Sequence, residues 1–164
     1  MNILVLCTGN SARSILGEVL INSLGGDRFA AFSAGSRPAG HVNPGALAKL
    51  EREGLSTEGL ESKSWDRFSE PGAPAMDIVI TVCDSAAGES CPVWHGSPVR
   101  VHWGLPDPAG QPDVDAAFDK AYAQLRQRIE LMLELPLEST EPRARRDALQ
   151  RIHDNVAALE RAGG

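Results

Sequence analysis

Cys7 and Arg13 are separated by five residues, Thr8-Gly9-Asn10-Ser11-Ala12, and Ser14 follows directly. A cysteine, five residues and an arginine, placed after an apolar run and before a helical pattern, is a spacing suited to an oxyanion. Backbone N–H groups of a loop entering a helix converge on one concavity and bind a tetrahedral anion. Thr8, Gly9, Asn10, Ser11, Ala12, Arg13 and Ser14 are expected to line it, with Gly9 supplying a positive φ and a close backbone approach. Arg13 can grip two anion oxygens with its planar fork. The same N–H array is expected to lower the pKa of Cys7 and leave it a thiolate nucleophile. Ser14 would donate to that sulfur and Asn10 would hold the loop's shape. A structural cysteine beside an ordinary turn is the plain alternative; the strand before, the helix after and the Gly-Asn-Ser inside argue against it.

A nucleophile that attacks an oxyanion needs an acid to protonate the leaving oxygen. Asp107, stiffened between Pro106 and Pro108, is the candidate, against the alternative of a surface turn. Two further cysteines, Cys83 and Cys91, bracket the small polar segment Asp84-Ser85-Ala86-Ala87-Gly88-Glu89-Ser90. Two-electron reduction of a bound oxyanion consumes two thiols as a disulfide, and a third can carry that disulfide away by exchange. Cys7, Cys83 and Cys91 supply that count. Taken singly, Cys83 reads equally well as a core cysteine at a strand end and Cys91 as incidental. The segment between them, with a helix-like first turn and a glycine able to unwind it, favours a relay.

These residues must be positioned by the elements around them. Ile3 to Leu6, Phe29 to Ala34, Asp77 to Val82 and Val99 to Trp103 read as strands. Helical spacing in Ile15, Leu16, Val19, Leu20 and Leu24 stops at Gly25-Gly26. A second helix starts at Asn43-Pro44 and runs to about Glu53. Asp113 caps a long helix with apolar Val114, Ala117, Phe118, Ala121, Leu125, Ile129 and Leu133, stopped by Pro136. After Pro142 a last helix is expected, with Ala148, Ile152, Val156 and Leu159 on one face. The alternation implies an α/β fold, an open sandwich of a central four-stranded parallel sheet with helices on both faces. In such sheets ligands bind at the carboxyl ends of the strands. That edge receives Cys7, Cys83 and Asp107.

The 164 residues suit a single domain over 1–164, with the extra C-terminal helix at about 143–161. Lys plus Arg number 16 against 22 Asp plus Glu, a net charge of −6. That balance argues against nucleic acid or an anionic membrane as partner, and makes any anion site a local positive pole. No apolar run approaches a membrane span. The N-terminal Met1-Asn2-Ile3-Leu4-Val5-Leu6 reads as a strand rather than a signal peptide, and an odd cysteine count does not make a disulfide framework. A cytoplasmic location is expected. His41, His95, His102 and His153 lack metal-ligand spacing, and without a GxGxxG or Walker loop no bound NAD or ATP is expected. Arg143, Arg145 and Arg146 read as a solvated face.

The Cys-Thr-Gly-Asn-Ser-x-Arg-Ser loop, Ser33-Ala34-Gly35, Val82-Cys83 with Cys91-Pro92, and His102-Trp103-Gly104 with Asp107-Pro108-Ala109 together resemble the bacterial arsenate reductases with a low-molecular-weight tyrosine phosphatase fold. The resemblance covers Met1 to about Leu135. It implies that Cys7 attacks arsenate held by the loop and Arg13, and that Asp107 assists departure of water. It further implies that Cys83 attacks Cys7 and releases arsenite, and that Cys91 then attacks Cys83. The final Cys83–Cys91 disulfide would be reduced by thioredoxin or a similar dithiol protein, with no cofactor bound. The eight-residue interval from Cys83 to Cys91 looks one longer than in the best-known thioredoxin-coupled members, which leaves a glutathione and glutaredoxin route open. In some relatives a potassium ion lies beneath the loop, and the matching positions are Asn10, Glu18, Ser33 and Asp66. A phosphatase acting on phosphotyrosine or another phosphate ester with the same loop and acid is the alternative function. A non-catalytic anion-binding module is a third.

Overall fold

Four short apolar segments, Asn2–Leu6 (β1), Ala30–Ala34 (β2), Ile78–Thr81 (β3) and Val99–His102 (β4), pair in parallel in the order β2-β1-β3-β4. The computed structural model describes residues 1–88 and 92–163. Register aligns the carboxyl ends: Leu6 faces Ala34 on one side and Thr81 on the other, and Thr81 faces His102. The chain leaves β1 for β2 on one flank and resumes at β3 on the opposite flank. The reversal of strand order therefore lies at the β1 and β3 ends, where open α/β sheets bind ligands.

Alternation along the strands divides the core in two. Ile3, Val5, Ile78, Ile80 and Val101 pack with Arg13–Gly25 (α1), Pro44–Arg52 (α2) and Val114–Leu133 (α4). Leu4, Leu6, Ala34 and Val79 face the other way, onto Trp65 and Phe68 of the 3-10 turn Trp65–Ser69, Met76 and Trp94. α1 buries Ile15, Leu16, Val19, Leu20 and Ile21. Gly17 sets it close on the sheet, since a Cβ there would lie 3.1 Å from Val5 Cγ1. Asn43 caps α2 by accepting from Gly45 N–H at 2.8 Å, and Asp113 caps α4 by accepting from Ala116 N–H at 3.1 Å. α3 is a single turn, Asp84–Ala87.

The last helix, α5 (Pro142–Gly163), packs on β4 and α4. Its buried face is rotated slightly from the expected one: Val156 is buried and Ile152 packs against the core as expected, and Leu149 joins them, whereas Ala148 is only partly covered and Leu159 is 68% exposed. Polar anchors set that rotation. Arg128 of α4, wholly buried, bonds Glu160 at 2.6 Å and His153 Nδ1 at 3.0 Å, and Trp103 Nε1 donates to Leu149 C=O at 3.0 Å. Apolar periodicity alone does not register such partners. Arg145 likewise departs from the expected solvated run, donating to the carbonyls of Leu137 and Thr140, each at 3.1 Å. Among the described residues no helix is long and apolar enough to cross a membrane.

Candidate active site

The loop from Cys7 to Ala12 is held open by its surroundings. Carbonyls of Thr8, Gly9 and Ser11 accept from the N–H groups of Arg37, Ala39 and Asn43, each at 2.9 Å. Ser62 Oγ also donates to Gly9 C=O at 2.9 Å. With its carbonyls held outward, the loop turns N–H groups inward, the arrangement that binds anions. Ala12, at the N-cap of α1, provides no side-chain cap, and the helix's first turn carries no acidic residue. The first-turn N–H groups are thereby left to a ligand.

The left-handed residue of the loop is Asn10, at φ 44°, and not Gly9 as the sequence suggested. Asparagine tolerates this conformation when its side chain bonds locally. Asn10 is fully buried, donates through Nδ2 to Ser14 Oγ at 2.8 Å and accepts from Lys63 N–H at 3.0 Å. The glycine that allows close approach is Gly35. A Cβ there would lie 2.4 Å from Thr8 O and 2.8 Å from Cys7 O. A glycine directly after a strand was the available signal for that role; nothing in the sequence pointed to Ser62 or Lys63.

Cys7 and Cys83 follow the ends of β1 and its neighbour β3, are both buried as free thiols, and each shifts the titration of the other. Thr8 N–H donates to Cys83 Sγ at 3.3 Å and Thr8 Oγ1 lies 3.5 Å from the same sulfur. The two thiols are shifted in opposite directions. The hydrogen bond from Cys7 and those from Thr8 and the Ala86 backbone bring Cys83 down to about 5. The bond to Cys83 and burial push Cys7 up, against the lowering effect of Ser14 and Arg13. The upward shift of Cys7 runs opposite to the expected lowering, because a second sulfur competes for the charge. Cys91 lies outside the described residues.

Arg13 is largely buried and donates through Nη1 to Leu105 C=O at 2.8 Å. Its Nη2 stands 3.8 Å from Asp107, so one side chain spans the loop and the candidate acid. Arg13 Nε is buried without a partner, a donor suited to an anion oxygen. Asp107 is 55% exposed at the side chain and accepts from Ala109 N–H at 3.0 Å, which fixes the short turn that carries it.

Beneath the loop Ser33 donates to Glu18, whose carboxylate lies 3.7 Å from Lys63 Nζ. Asp66 is exposed. Lys63 supplies a positive charge at Glu18. Among the described residues no group of three or more His, Cys, Asp or Glu side chains is placed to hold a metal.

The low molecular weight phosphotyrosine protein phosphatase model matches residues 2–142. The chain belongs to that family. The match ends at the first residue of α5, so the C-terminal helix lies outside the part described by the phosphatase family model. An arsenate reductase from Halalkalibacterium halodurans is 32% identical over 133 residues, covering 79% of this chain and 92% of that protein. A thioredoxin-dependent arsenate reductase from Corynebacterium glutamicum superposes with a TM-score of 0.57 at 25% identity, covering 79% of this chain and 62% of that one. A tyrosine phosphatase from Escherichia coli K30, solved with sulphate, gives 0.65 at 25% identity, covering 81% and 96%. Reductases and phosphatases therefore share this family's fold, and the residues around the loop must separate them.

Proposed function

We propose that this chain reduces arsenate to arsenite through Cys7, Cys83 and Cys91. The observation that carries the reading is the second thiol, Cys83, seated on the N–H of Thr8, the residue after Cys7. Ester hydrolysis has no use for it. The loop N–H groups and Arg13 bind arsenate, and the Cys7 proton passes to an arsenate oxygen as the sulfur attacks arsenic. An arsenate oxygen leaves as water, protonated from Asp107, and a Cys7 S–As bond forms. Cys83 thiolate then attacks Cys7 Sγ. The S–S bond forms as the S–As bond breaks; arsenic keeps that electron pair and leaves as arsenite, while each sulfur is oxidised by one electron. Cys91 attacks Cys83 and returns Cys7 as thiolate, with no further net oxidation.

The Cys83–Cys91 disulfide is reduced by an external dithiol protein, for which the thioredoxin-dependent Corynebacterium relative is the support; a glutathione and glutaredoxin couple is the other candidate donor. Three working thiols suit the reducing cytoplasm. The aromatic side chains weigh against phosphotyrosine: Trp65, Trp94, Trp103 and Tyr122 are all buried, and the Asp107 turn carries Ala109 and Gly110. Cys83→Ser is the test. It abolishes arsenite formation and leaves hydrolysis of p-nitrophenyl phosphate by Cys7 in place; arsenite turnover surviving in that variant overturns the reading.

A further inference from the structure

Asp84, the residue after Cys83, is held from outside its own helix. Its Oδ1 lies 2.8 Å from His102 Nε2, and His102 Nδ1 lies 2.7 Å from Thr81 Oγ1. The ends of β3 and β4 are thereby tied to the first turn of α3. Space is reserved for the contact, since a Cβ on Gly104 would lie 2.7 Å from both Asp84 Oδ1 and His102 Nε2. The backbone of His102 is clamped in turn by one side chain of α5. Gln150 Oε1 accepts from His102 N–H and Gln150 Nε2 donates to His102 C=O, both at 2.9 Å. That amide occupies the place of a further strand at the edge of the sheet.

α3 has four residues, too few to stand on its own hydrogen bonds. Yet it must hold the Cys83 sulfur against Thr8 until exchange begins. We propose that His102 and Asp84 are positioning residues for Cys83, fixing the first residue beyond the sulfur so that it stays aligned on Cys7 for the disulfide-forming step. The proposal rests on the reductase reading. It also gives α5, which lies outside the family match, a part in the reaction through Gln150 and His102.

The test compares Asp84→Ala, His102→Ala and Asp84→Asn, the last keeping an acceptor oxygen for His102. Pinning predicts that single-turnover arsenite release slows by roughly tenfold or more in the two alanine variants, a misalignment cost. Hydrolysis of p-nitrophenyl phosphate, which uses Cys7 but neither of the other thiols, stays within about twofold, the scatter of independent sites. Asp84→Asn recovers most of the release rate. Unchanged release in Asp84→Ala, an equal fall in both reactions, or no recovery with asparagine overturns the proposal. If the parent chain releases no arsenite, the reductase reading fails by itself, and pinning is read from hydrogen exchange at the Ala86 and Gly88 amides. Exchange at least about tenfold faster in Asp84→Ala and restored in Asp84→Asn retains the pinning, as local opening measures it; unchanged exchange overturns it.

Discussion

The backbone N–H of Thr8, the residue after Cys7, donates to the sulfur of Cys83 at 3.3 Å. The nucleophile's own loop thus activates the second thiol. Cys83 is expected to be a thiolate above about pH 5 and to lose its charge below it. Replacing Cys7 by alanine removes the largest cause of that lowering and raises the Cys83 midpoint by about one pH unit or more, given ~1.4 kcal/mol per unit. Peptide-resolved alkylation by iodoacetamide across pH reads both values.

Gly35→Ala tests the loop's support. A Cβ 2.4 Å from Thr8 O meets backbone, which cannot swing aside as a side chain can. Oxyanion affinity, read by phosphate competition, should fall about a hundredfold, the scale of a 1 Å misplacement. Thermal unfolding of the variant shows that the chain still folds.

Arg13→Lys keeps the charge but loses the fork, the bond to Leu105 C=O and the buried Nε. An arginine at a forked site is not replaced by lysine. KM for arsenate should rise about tenfold or more, consistent with one lost charge-assisted bond.

Acid should loosen α5. Burial and Arg128 lower His153, so its neutral form is favoured in the fold. Desolvation raises Glu160, but its bonds to Arg128 outweigh this and the net shift is downward. Both folded values lie below the unfolded ones. Their stabilisation is therefore present at neutral pH and lost as pH falls, from about 6.5 for His153 and about 4.3 for Glu160. Glu160→Gln leaves the buried Arg128 charge short of its partner and should cost about 2–4 kcal/mol. Denaturant melts at about pH 7, 5 and 3.5 separate the His153 window from the Glu160 window, and the variant is compared at about pH 7.

The strand and helix spacing of the sequence places β1 to β4, α1, α2 and α4 close to where they lie, because apolar periodicity and capping residues are local signals. Cys7, Arg13 and Asp107 were legible for the same reason: strand ends bring them to one edge. What was not legible depends on contacts distant in sequence. Cys83 rather than Cys7 is the thiol shifted downward, by Cys7 itself and then by Thr8, close approach fell to Gly35, and positive φ fell to Asn10 rather than Gly9. The rotation of α5 followed Arg128, whose partners Glu160 and His153 lie 32 and 25 residues away.

The most direct test of the central claim is one turnover of the fully reduced chain with arsenate and no other reductant, followed by arsenite quantification and disulfide mapping by mass spectrometry. The account predicts about one arsenite per chain, two thiols consumed, and a Cys83–Cys91 link, as a two-electron thiol couple requires. Intact thiols with no arsenite would contradict it.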